Sequence, residues 1–223
     1  MKNNITELVF ILDRSGSMSG LENDTIGGYN SFIEKQKNEE GEVFLSTILF
    51  NAQYEIIHNR SDIKKVQPLT ENEYYASGAT ALLDAIGKAI EDTESQIIKL
   101  PETDRPEKVL FAITTDGMEN ASKEYTFKHI KDKIKHCTEH HGWEFLFFGA
   151  NIDAIGVASD IGIRENRAVR YAHDSKGVML SYRAMSDAAS RYRCCSKIDD
   201  SWKDEIEIDY MERKKEKKKR KND

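Results

Sequence analysis

The chain has 223 residues, of which 39% are hydrophobic and 32% charged, with three prolines and a formal net charge of −6. That length accommodates one α/β domain with a full core, or one domain and a tail, and no apolar run approaches the ~20 residues needed to cross a bilayer. The charge is unevenly placed: residues 211–223 carry +5 and the remainder −11, so the acidic body repels a nucleic-acid backbone and only the basic end is suited to meet one.

The opening stretch MKNNITELVF lacks the longer apolar segment and cleavage site of a secretory signal, and the cysteines Cys137, Cys194 and Cys195 are odd in number with two adjacent. Both features point to a cytoplasmic protein with free thiols. Apolar runs then alternate with helical patterns along the chain, which is the signature of a sheet with crossover helices on both faces. Strands are expected over 7–12, 43–50, 108–114 and 144–150, with weaker ones over 55–59 and 168–173. Helices fit 25–41, 79–100, 126–142, 153–162 and 177–193. The gap between the second and third strands, turning at Asn51 to Gln53, is too short for a crossover, so one edge strand is antiparallel. These elements predict a doubly wound, Rossmann-like, mainly parallel six-stranded sheet of order 3-2-1-4-5-6, forming a domain over 1–195. The extension over 196–223 has one apolar anchor, Trp202, and an alternating EIEIDY that fits either an added strand or a segment lying on the body; its basic end reads as disordered.

Three segments carry chemistry. LVFILDRSGSMSG, residues 8–20, ends an apolar strand on Asp13 and presents Ser15 and Ser17 in the following turn. SGATALLDAIGKAI places Thr80 in a Gly-containing loop before an amphipathic helix, and KVLFAITTDG ends a second buried strand on Asp116. Carboxylates and hydroxyls in loops that can meet are hard-cation ligands. In a sheet of this order the chain leaves strands 1 and 4 toward opposite faces, and the crevice at their carboxyl ends is where ligands bind. Asp13 and Asp116 end those two strands.

Asp13, Ser15, Ser17, Thr80 and Asp116 together resemble the metal ion-dependent adhesion site of von Willebrand factor type A domains, a resemblance that extends over residues 5 to 192. It implies the same sheet order, with Ser15 and Ser17 binding the metal directly, Thr80 and Asp116 directly or through water, and Asp13 orienting waters and hydroxyls from behind. The cation it implies is Mg2+, or Mn2+ or Ca2+, and the function a non-catalytic adaptor whose partner protein presents an Asp or Glu to the metal. Members that switch imply a last helix, 177–193, coupled to Asp116. Gly16, Gly78 and Gly117 give the loops freedom, while Arg14, Met18, Glu119 and Asn120 are expected on the rim.

Other readings compete for the same residues. A cation beside Asp13 and Asp116 can polarise a phosphoryl group, as a phosphoesterase-type hydrolase would, but such an enzyme needs a base and the motif loops offer only Glu119. In HCTEHHG, the pairs His136/His140 and Cys137/His141 are four residues apart, a zinc-binding spacing that no partner cluster completes, so imidazoles complementing a helix C-terminus are the plainer reading. The basic tail is a solubilising terminus or a contact to nucleic acid or anionic lipid, and it lacks aromatic residues to stack on bases.

Overall fold

The computed structural model describes residues 4–150 and 153–219. Strand β1 (Ile5–Asp13) is buried at every position because both of its faces are covered, the arrangement that a near-continuous apolar strand requires. It pairs in parallel with β2 (Glu42–Phe50) and with β4 (Lys108–Thr115). Beyond them lie β3 (Tyr54–Asp62), antiparallel to β2, and then β5 (Glu144–Ala150) and β6 (Ala168–Tyr171), parallel on the other side. The order is β3-β2-β1-β4-β5-β6, as the sequence predicts. Asn51 closes the β2–β3 hairpin, its backbone N–H donating to Gln53 O at 3.0 Å and its Oδ1 accepting from Gln53 N at 2.8 Å.

Side chains alternate across a strand, and here the alternation separates two cores. Leu8, Phe10 and Leu12 face one way with Leu110, Ala112, Leu146 and Phe148, under helices α1 (Glu22–Lys37) and α5 (Ser175–Cys195). Val9 and Ile11 face the other way with Phe111, Ile113, Phe145 and Phe147, under α2 (Leu82–Lys99), α3 (Phe127–His141) and α4 (Ala154–Asp160). Local chemistry sets the helix ends. Thr126 caps α3 by accepting from His129 N, Gly142 ends it in the left-handed region at φ +66°, and Asp174 caps α5 by accepting from Gly177 N at 2.9 Å.

Three differences from the expected elements bear on the site or the extension. Helix α2 begins at Leu82 rather than at residue 79, which leaves Thr80 in the loop. Strand β6 ends at Tyr171, so His173 belongs to the connection into α5. The extension adds no strand: residues Asp204–Lys219 form helix α6, including most of the segment expected to be disordered, and residues 220–223 lie outside the described residues. Trp202 and Ile206 are buried while Ile208 is exposed, because positions four apart share a helical face and positions two apart do not. Trp202 Nε1 donates to Asn166 O at 2.9 Å. Asp209 takes Lys176 at 2.5 Å and Arg213 at 2.6 Å, and Arg213 also pairs with Asp174. Among the described residues, no helix is long and apolar enough to cross a membrane.

Candidate metal centre

The carboxyl ends of β1 and β4 bring the two aspartates together. Asp13 is fully buried; its Oδ1 accepts from Ser15 N at 2.7 Å and its Oδ2 from Thr115 Oγ1 at 2.6 Å. Its backbone carbonyl takes the Tyr74 hydroxyl at 2.5 Å. Burial pushes the Asp13 carboxyl above its ordinary range; the hydrogen bonds from Ser15 and Thr115 oppose that rise and the nearby Asp116 adds to it. Two carboxylates held this close in low dielectric gain from a cation between or above them.

The turn after β1 places Ser15 Oγ 3.0 Å from Ser17 Oγ, and Ser17 Oγ donates to Asp116 Oδ1 at 2.5 Å. Thr80 is tied in by its backbone: its N–H donates to Asn120 Oδ1 at 2.9 Å and its carbonyl accepts from Asn120 N at 3.0 Å and Ala121 N at 3.2 Å. Gly16 N donates to Gly78 O at 2.9 Å and Ser77 N to Arg14 O at 2.8 Å, so the first two loops are laced together. Gly78 lies at φ +76°, where an L side chain is strained.

Two observations test whether these residues fit a cation. Asp116 Oδ2 is buried, accepts no hydrogen bond and has His173 Nε2 beside it at 2.8 Å, so a carboxylate oxygen with unused acceptor capacity faces the crevice. A β-carbon built on Gly117 would fall 2.6 Å from Thr80 Oγ1 and 3.1 Å from Ser17 Oγ, so glycine keeps clear the space between those hydroxyls. The donor set is three hydroxyls and two carboxylates, all oxygen, and it suits a hard divalent ion. Of the five, Ser17 is exposed and gives the site its opening to solvent.

No protein-family model matches the chain and no curated protein matches it in sequence. Its fold does match solved structures. Proximal thread matrix protein 1 from the mussel byssus aligns with a TM-score of 0.55 and 14% identity over 83% of this chain and 46% of its own. The von Willebrand factor type A structure from Catenulispora acidiphila gives 0.53 and 12% over 83% and 42%. The ArnB paralog VWA2 from Sulfolobus acidocaldarius gives 0.52 and 18% over 83% and 45%. The fold is von Willebrand factor A-like. The chain spans less than half the length of each of these proteins. A further structure of the mussel protein, similar at a TM-score of 0.53 and 16% identity over 83% of this chain, is described with a zinc-occupied MIDAS motif.

Within this A-like domain the five sequence-predicted residues come together; of the expected rim, Asn120 is exposed and bonded to Thr80, while the other three are drawn into the fold. Arg14 is buried, pairing with Glu55 at 2.6 Å and donating to Glu73 O at 3.1 Å under the Tyr75 ring. It braces the loop from inside instead of steering a partner. Met18 is buried in the core because the serine turn folds back onto the sheet. Glu119 caps α2, its carboxylate accepting from Leu83 N at 3.0 Å, Ala121 N at 2.9 Å and Ser122 N and Oγ at 2.8 Å. The residue that sequence reasoning missed is His173. Its Nε2 is 3.1 Å from Ser17 O and 2.8 Å from Asp116 Oδ2, and the sequence offers no signal for it beyond its place at the end of the expected sixth strand.

Proposed function

We propose that the chain is a divalent-metal-dependent protein-binding module with no catalysis of its own. The observation that carries this reading is the convergence of Asp13, Ser15, Ser17, Thr80 and Asp116 on one crevice, whose hydroxyls and carboxylates meet within hydrogen-bond distance. Ser15, Ser17 and Thr80 would hold Mg2+, or Mn2+ or Ca2+, with Asp116 completing the protein's share and Asp13 orienting the serine turn. When bound among mostly neutral hydroxyls, such a cation supplies residual positive charge and an exchangeable position for a partner's Asp or Glu carboxylate. His173, partly exposed, positions Asp116 through its Nε2 at 2.8 Å from Oδ2. The three cysteines are free, which supports a cytoplasmic setting.

Against the hydrolase reading, the Glu119 carboxylate, the base that the motif loops offer, is occupied by four donors. The Nε2 of His173 is engaged by Ser17 O and Asp116. Water proton relaxation of the Mn2+-loaded chain tests the proposal: a peptide bearing a glutamate lowers the relaxivity as its carboxylate displaces a metal-bound water, and the same peptide with glutamine does not. Equal effects of the two peptides, or metal-dependent turnover of phosphate esters lost in Asp116→Ala, would overturn it.

A further inference from the structure

The histidines of HCTEHHG acquire in the fold the partner that their sequence neighbourhood lacks. Helices α2 and α3 pack side by side, and Glu91 pairs with Lys133 across them at 2.8 Å. One step further along both helices the same register sets Glu94 opposite His136, and the last turn of α3 adds His141. One ligand atom from each of Glu94, His136 and His141 lies within 4.8 Å of the others. The two imidazole rings meet edge to face at 5.2 Å. The grouping differs from both four-residue pairs suggested by spacing, because the helix turns off at Gly142 just after His141.

We infer that Glu94, His136 and His141 form a second metal site, selective for zinc or a similar first-row transition ion. Two imidazole nitrogens and one carboxylate are a borderline donor set that suits Zn2+ and is foreign to Mg2+ and Ca2+. Glu94 is partly buried and, among the described residues, no lysine or arginine pairs with it; its contact is the weak Cys137 thiol donor at 3.5 Å. Helix-dipole complementarity explains histidines in the last turn of α3, but it does not explain a carboxylate without a cationic partner on the neighbouring helix beside them. The surroundings also supply outer support: the buried Trp143 ring stands 5.8 Å from His141, and the Cys137 thiol orients Glu94. Three protein ligands leave a position for water or an incoming group. This site belongs to the α2–α3 face of the sheet and does not depend on the reading of the serine crevice.

The test is a calorimetric titration of the full chain with Zn2+ in a Ser15→Ala/Asp116→Ala background, which disables the first site. One equivalent is expected to bind, with affinity unchanged by excess Mg2+, and Co2+ in its place should give the intense visible bands of low coordination number. His136→Ala, and separately the shape-preserving Glu94→Gln, should weaken binding by at least about tenfold, more than loss of an outer-shell partner would. Both histidines are exposed, so folding survives their removal. Absence of a stoichiometric equivalent in the background variant, or affinity unchanged by both substitutions, would overturn the assignment.

Discussion

At the scale of single residues the crevice depends on what Gly117 omits. A methyl there would lie 2.6 Å from Thr80 Oγ1 and 3.1 Å from Ser17 Oγ, closer than unstrained contact allows. Gly117→Ala should therefore leave the fold intact and weaken Mg2+ or Mn2+ binding by roughly tenfold, within the ~1–3 kcal/mol that overpacking costs; calorimetry reads this directly, and unchanged affinity would show that neither hydroxyl approaches the ion. Glu7 carries the clearest pH signature. It is buried in β1 beside Arg60, 3.2 Å away, and burial outweighs that partner, raising its carboxyl from 4.5 to about 7. A raised carboxyl pKa means that Glu7's contribution to stability is complete below about 4.5 and is lost as pH climbs through about 7. The swing is about 3 kcal/mol at ~1.4 kcal/mol per unit. Glu7→Gln should remove this decline, which denaturant midpoints at a series of pH values between the two limits will show. Residue identity made legible in advance the five oxygen-bearing side chains that meet in the crevice. It could not reveal that Arg14 and Met18 turn inward, since both outcomes are compatible with a flanking position and only the fold-back of the serine turn decides between them.

At the scale of elements, period and spacing identified the six strands and five of the helices, because buried parallel strands and amphipathic helices each leave a strong pattern. Helix α6 escaped because EIEIDY alternates over so few residues that it fits a strand as well as a helix. The deciding anchor is Trp202, which precedes the helix and fixes which face turns inward. Trp202 packs edge-on against Phe148 at 5.2 Å and bonds Asn166 O, so Trp202→Ala should cost about 3 kcal/mol, at the lower end for a buried tryptophan. A chemical denaturation curve unmoved by that change would mean that the extension is not part of the folded body. His173 was illegible for a related reason: its role arises from where β6 stops, and strand ends are the least certain feature of a pattern-based reading.

At the scale of the whole molecule, the sheet order sets β1 and β4 side by side with the chain leaving their carboxyl ends toward opposite faces, and the meeting of the two aspartates follows from that topology. Solved structures with this fold share no more than 18% identity with the chain among those compared, so the likeness establishes the architecture and leaves the chemistry to the chain's own residues. Those residues put an oxygen-lined crevice at the carboxyl ends of the central strands and a nitrogen-rich cluster on a helical face. The account rests above all on the crevice, and a calorimetric titration with Mg2+ and Mn2+ tests it most directly. The parent chain should bind one equivalent of either ion at the crevice, and Asp13→Ala, Ser15→Ala and Asp116→Ala should each abolish that binding or weaken it by well over about tenfold, while far-UV circular dichroism remains that of the parent. Parent-like affinity in those three variants would contradict the account.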